Sequence, residues 1–180
     1  MHALRLVVAA VWIAFWIYWF ASAVSSKARA TGSRRFPVGG LIELGVIVLL
    51  RVLDRGAGSV HSEVAGAIGV FLQAAGLGLA VWARVHLGRN WGMPMTQKAE
   101  PELVTSGPYQ LIRHPIYSGL VLALLGTALV SNLAGLLLVL AVAAFFYYAA
   151  TVEERNLTAT FPSAYPAYRA RTKMLIPFLL

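Results

Sequence analysis

Residues 103–117 read LVTSGPYQLIRHPIY, and they set Tyr109, His114 and Tyr117 around one turn, with Arg113 beside the histidine. Tyrosine faces attract a cation such as a sulfonium, by about 0.5–2 kcal/mol. Histidine can take a proton near neutral pH. A second group, Glu153-Glu154-Arg155, follows directly after a long uncharged run. Carboxylates at the end of an apolar helix oppose its dipole, which calls for a cationic partner. The α-amino group of a bound methionine moiety would serve; so would Arg155 or Lys173. Taken singly, each residue also has a plainer reading. Arginine snorkels, tyrosine sits at headgroups, proline starts a helix, and acids end one in water.

Several chemistries are excluded. The chain has no cysteine, so thiolate nucleophiles, disulfides and Cys-bound metal are absent. His2, His61, His86 and His114 lack metal-ligand spacing, and no metal site is expected. No GxSxG elbow occurs. Gly76-Leu77-Gly78 lies in an apolar run without a preceding strand, which suits helix packing better than phosphate binding.

The elements that must position these groups are membrane helices. Of 180 residues, 59% are hydrophobic and only 12% charged, against about 25% charged in soluble domains. Lipid is the outer solvent this composition requires. Residues 3–24, 64–85 and 133–152 are long enough to span, at about 20 residues per crossing. The first is too long for a signal-peptide core of about 7–15 residues, so a retained span is expected despite Ala21-Ser22-Ala23. Residues 116–130 form a shorter span started by His114-Pro115. Ser131-Asn132 then makes a tight turn, with Asn132 as helix cap, into an antiparallel hairpin. Residues 38–53 carry Glu43 and Arg51 and are the ambiguous fifth span.

Charge resolves the ambiguity. The net charge is +8. With five spans, one side holds Lys27, Arg29, Arg34, Arg35, Arg84, Arg89, Lys98, Arg113, Arg155, Arg169, Arg171 and Lys173. The other holds Arg5, Arg51 and Arg55, a split of twelve to three. Four spans would give nine to six. The positive-inside bias favours five, with the N-terminus outside and the C-terminus in the cytoplasm. Both long polar stretches, residues 86–114 and 153–180, then share the cytoplasmic face. The basic residues are accounted for by orientation, and no nucleic-acid partner is expected. The tail, with interleaved aromatic and basic residues, fits a cap lying on the membrane. The Ala-, Leu-, Val- and Arg-rich composition suits a bacterial inner membrane protein. The chain reads as a single all-α membrane-embedded domain over 1–180.

The segments ARVHLGRNW, ELVTSGPYQLIRHPIYSG and EERNLTATFPSAYPAY…IPF resemble, in that order, the isoprenylcysteine carboxyl methyltransferase family and its bacterial relatives. The resemblance covers about the last hundred residues, 84–178. It implies a five-to-eight-span helical fold and an S-adenosylmethionine pocket at the final hairpin. It implies that Leu103, Val104, Tyr109, His114, Pro115, Ile116 and Tyr117 line that pocket, and that Glu153 receives the amino group of S-adenosylmethionine. Three departures stand out. Pro101 replaces a frequent histidine, Phe161-Pro162 replaces the family's FG, and Ala149 replaces an arginine of the eukaryotic members. That arginine is linked with substrate recognition, so a prenylcysteine substrate is not carried over.

The expected activity is methyl transfer to a lipophilic acceptor drawn from the bilayer, a carboxylate of isoprenoid or lipid character. A carboxylate is already ionised and needs no base, so no catalytic dyad is assigned. An amine would need one, with His114 the candidate. The alternatives are a membrane reductase using a nicotinamide cofactor and a non-enzymatic assembly protein. The first lacks a dense basic cluster for two phosphates near RHPIY.

Overall fold

The computed structural model describes residues 2–23, 60–92, 95 and 100–177. It is all-helical: α1 (His2–Ala23), α2 (Glu63–Leu87), α3 (Pro115–Val130), α4 (Gly135–Thr160) and the short α5 (Ala164–Arg171). Single 3-10 turns occur at Gly88–Asn90 and Gly107–Gln110. The ambiguous span at residues 38–53 lies outside the described residues.

Three of these helices, α1, α2 and α4, are long and apolar enough to cross a membrane, and α3 is a shorter apolar helix. Large apolar side chains project outward along them, including Ile13 and Ile17 on α1, Ile68 and Phe71 on α2, and Leu137 and Leu140 on α4. Water would make such a surface costly; lipid tails solvate it. The chain is a polytopic integral membrane protein.

Polar side chains register the helices. At one end the Arg5 guanidinium donates to the Ser131 carbonyl at 3.0 Å, and the Val60 amide donates to the same oxygen at 3.1 Å. Midway, Gln73 donates to the Val8 carbonyl at 2.9 Å, and the Trp12 indole donates to Thr127 Oγ1 at 2.9 Å. At the opposite end Arg84 reaches the Ser22 carbonyl at 2.5 Å. Hence α1 and α2 run parallel, while α3 and α4 form the expected antiparallel hairpin around Ser131-Asn132. Asn132 does not cap α4, however. Its side chain accepts from the Ala134 amide at 2.9 Å, inside the turn, and the helix begins after Ala134 without a side-chain cap.

The tightest pairing is α2 against α3. Gly69 faces Gly126 and Gly76 faces Gly119, two pairs each seven residues apart on antiparallel helices. A Cβ on any of them would lie 2.3–2.5 Å from the opposing glycine's carbonyl oxygen. Backbone therefore touches backbone, as small residues permit in membranes. The packing role expected of Gly76-Leu77-Gly78 belongs to Gly76 alone, since Gly78 meets nothing within 4 Å.

One boundary differs in a way that matters for the site. The apolar run stops at Val152, but α4 continues to Thr160. Glu153 and Glu154 are thus about two turns inside the helix rather than at its C-terminus. The dipole argument for a cationic partner lapses, and the surrounding side chains supply that partner instead.

Candidate active site

The site forms where α2 and α4 end and α3 begins. Gly107 opens the 3-10 turn with φ +59°, and a Cβ there would lie 2.4 Å from the His86 ring. Only glycine meets both the left-handed conformation and the close approach. The turn buries Tyr109, whose carbonyl accepts from the Tyr168 hydroxyl at 2.7 Å. Burial, followed by Tyr168 and Glu153 nearby, raises the Tyr109 pKa, so its hydroxyl stays neutral. The tail then pairs with the RHP segment. The Arg113 amide donates to the Lys173 carbonyl at 2.8 Å and the His114 amide to Met174 at 3.1 Å. The tail is therefore a structural wall of the site, with Tyr165 and Tyr168 buried, and not simply a cap on the lipid surface.

The adjacent glutamates diverge, as a helical step of about 100° requires. Glu154 turns inward. Its side chain is 6% exposed and accepts from Arg113 Nε at 2.7 Å, with Arg169 Nε at 3.4 Å. Arg113 also donates to the Thr172 carbonyl at 2.5 Å. This buried pair ties α4, the RHP segment and the tail together. Glu153 is 25% exposed and turns toward a cavity. It accepts from the Tyr117 hydroxyl and from the Met95 amide at 2.8 Å. A carboxylate has about four acceptor positions, so capacity for a further donor remains.

His114 lies between the two acids. Nδ1 is 3.5 Å from Glu153 and Nε2 is 3.5 Å from Glu154. Burial favours the neutral ring, but the flanking carboxylates outweigh it and raise the His114 pKa above its ordinary value. Each nitrogen has a carboxylate within ion-pair distance, and Nε2 makes no hydrogen bond. The ring stacks on Tyr117 at 5.4 Å between centroids, and Tyr117 stacks on Phe146 at 4.4 Å. The Tyr117 ring surface is thus taken up by protein. Its offer to a ligand is limited to its edge, while its hydroxyl fixes Glu153.

The cavity beside Glu153 has a volume of about 250 Å³. Of the residues expected to form it, Leu103, Val104, Tyr109, His114, Ile116, Tyr117 and Glu153 line it. Pro115 does not; it is fully buried as the first residue of α3. Other lining residues carry no motif that marks them. Phe146, Asn156, Leu157 and Thr160 line it from α4, at −7, +3, +4 and +7 from Glu153. That spacing is one helix face, so extending α4 past Val152 in the sequence would have found them. Trp16 and Trp19 come from α1, and Asn90 and Trp91 from the turn after α2. The Arg84 guanidinium lies 4.7 Å over the Trp91 ring and donates to the Gly88 carbonyl at 2.7 Å. The ARVHLGRNW segment thus works as a clamp that places Trp91.

Four buried polar atoms of lining residues have no hydrogen-bond partner: Trp16 Nε1, Asn90 Oδ1, His114 Nε2 and the Tyr165 hydroxyl. An unpaired buried polar group costs about 1–3 kcal/mol.

Comparison with known proteins agrees with this architecture. The phospholipid methyltransferase family matches residues 64–164, which run from α2 into α5. A cobalt-zinc-cadmium resistance protein, CzcN, of Cupriavidus metallidurans is 34% identical over 106 residues, covering 57% of this chain and 49% of that protein. Methanethiol S-methyltransferase 2 of Bradyrhizobium diazoefficiens is 42% identical over 72 residues, 39% of this chain and 27% of that one. The matched region is therefore half or less of either relative's length. The family match spans more than half of the chain and contains the RHPIY turn, the hairpin and both glutamates, so this membrane protein belongs to the phospholipid methyltransferase family, the isoprenylcysteine carboxyl methyltransferase-like group of membrane enzymes.

Proposed function

We propose that the chain transfers a methyl group from S-adenosylmethionine to a lipophilic acceptor that reaches the cavity from the bilayer. One observation carries this reading. Of two adjacent acids, one is neutralised inside the protein by Arg113, and the other is held by Tyr117 and Met95 at the cavity wall. A positioned carboxylate with spare acceptor capacity suits the ammonium of a methionine moiety. With the twelve-to-three distribution of basic residues, this end of the bundle would face the cytoplasm, where S-adenosylmethionine is available.

When bound, S-adenosylmethionine supplies an electrophilic methyl group on a positively charged sulfur. The protein's contribution is alignment and exclusion of water. Glu153 fixes one end of the cavity, and the Tyr117–His114–Phe146 stack keeps that carboxylate in place. Trp16, Trp19 and Leu120 add apolar lining. His114 lies between two acids that favour its protonated form, which disfavours it as a base for an amine. Acceptors that are already anions are therefore favoured, foremost a carboxylate. The methanethiol methyltransferase relative gives a thiol a specific claim as second choice.

The test is transfer of labelled methyl from S-adenosylmethionine by detergent-purified protein to a medium-chain fatty acid, alkanethiol or alkylamine. Label should enter an organic-extractable ester or thioether. Transfer to the amine alone would contradict the reading.

A further inference from the structure

Phe146, Glu153, Asn156, Leu157 and Thr160 line the cavity from α4. Asn156 stands three residues after Glu153, so the two share a helix face with their Cβ atoms about 5–6 Å apart. The Asn156 side chain is half-buried and makes no hydrogen bond among the described residues. Its amide is also not among the polar atoms sealed inside the protein without a partner. The amide therefore stays open to a ligand, on the same wall as the acid.

That wall has no other free donor. Phe146 and Leu157 are apolar, and the Thr160 hydroxyl donates to the Asn156 carbonyl at 2.8 Å. The last turn of a helix presents carbonyls and not free amide N–H groups. Arg113 also lines the cavity, but it is engaged by Glu154 and by the Thr172 carbonyl. A primary amide, by contrast, brings two N–H donors. An α-amino acid carries an ammonium and a carboxylate on one carbon. Glu153 attracts the first and repels the second. A donor one turn along the same face takes the carboxylate, and so fixes which way round the amino-acid end lies.

We infer that Asn156 donates a hydrogen bond to the α-carboxylate of the methionine moiety while Glu153 accepts from its ammonium, so that one face of α4 reads both charges. This rests on the methyltransferase reading above and adds a specificity-determining residue to it. A hydrogen bond to a charged group changes affinity by roughly 10- to 150-fold. A ligand that keeps the ammonium and lacks the carboxylate should be indifferent to Asn156 and should still depend on Glu153.

The experiment titrates the parent, Asn156→Leu, Asn156→Asp and Glu153→Gln by calorimetry with two probes. One is S-adenosylhomocysteine; the other is its decarboxylated form, which retains the ammonium and the adenosine. Asn156→Leu should weaken S-adenosylhomocysteine at least 10-fold and the decarboxylated probe no more than about threefold. Asn156→Asp is nearly isosteric and sets a second negative charge beside Glu153. It should weaken S-adenosylhomocysteine further and hold the decarboxylated probe at least as tightly as the parent does. Glu153→Gln should weaken both probes. Undiminished binding of the decarboxylated probe also shows that an Asn156 variant is folded. The inference is overturned if Asn156→Leu binds S-adenosylhomocysteine like the parent, which would make Asn156 a solvated residue at the cavity mouth. It is equally overturned if both probes weaken in step, which would put Asn156 on another part of the ligand or in a purely structural role. A parent that binds neither probe removes the methyltransferase reading, and this inference with it.

Discussion

Glu153→Gln should weaken S-adenosylmethionine binding by roughly 30- to 1000-fold, while Glu154→Gln should change it far less. The first substitution removes the charge from the acid that faces the cavity, and leaves a ligand ammonium without its counter-ion. Truncating one partner of a buried charged pair costs about 2–5 kcal/mol, and each 1.4 kcal/mol is a tenfold change. Glu154 serves as the internal control because it does not itself line the cavity and is paired with Arg113, Arg169 and His114. Its loss strands the Arg113 charge in a buried place, which costs stability. The two variants should therefore separate: Glu153→Gln folds and binds weakly, and Glu154→Gln melts earlier but binds well while folded. Calorimetry and a thermal-shift measurement on both proteins test this. Equal binding by folded Glu153→Gln and parent would reduce Glu153 to an acceptor for Tyr117 and Met95.

Gly76→Ala should be among the most damaging single-methyl additions in the chain. The new Cβ would lie 2.4 Å from the Gly119 oxygen and 2.6 Å from the Ala123 nitrogen. Both obstacles are backbone, so no side-chain rotation relieves them and the helices must part. Overpacking typically costs about 1–3 kcal/mol, occasionally more, and the upper end applies here. Separation would also move α3, which carries His114 at its start and Tyr117 in its first turn. Gly78→Ala is the matched control, two residues along with nothing within 4 Å of its added methyl. It should be neutral or slightly stabilising. Thermal midpoints in detergent should fall by several degrees for Gly76→Ala and stay level for Gly78→Ala. Equal behaviour would mean that the α2–α3 contact is not the backbone-on-backbone packing described.

Much of this organisation is legible in the amino-acid sequence. Apolar runs locate α1, α2, α3 and α4, and the His114-Pro115 pair marks the start of α3 to the residue. Seven of the eight expected lining positions do line the cavity. Pro115 is the exception, because a motif cannot separate a residue that shapes a helix start from its neighbours that face the ligand. Stopping α4 at Val152 equates the end of hydrophobicity with the end of the helix. Here the helix runs on, because Glu153 and Glu154 find Tyr117, Met95 and Arg113 as partners. Stacking of Tyr117 between other rings is invisible in the sequence for a different reason: His114 is three residues away, but Phe146 is on another helix. The contribution of α1 is hidden as well. Trp16 and Trp19 sit in a run that reads simply as a lipid-facing span, and only packing shows which of its aromatic side chains turn inward.

That the cavity beside Glu153 holds S-adenosylmethionine is tested most directly by calorimetric titration of the detergent-purified protein. The expected result is saturable binding that persists in the presence of a metal chelator, is competed by S-adenosylhomocysteine, and has no counterpart in a titration with NADPH. Absence of heat or competition with the folded protein, or binding of NADPH in place of S-adenosylmethionine, would contradict it.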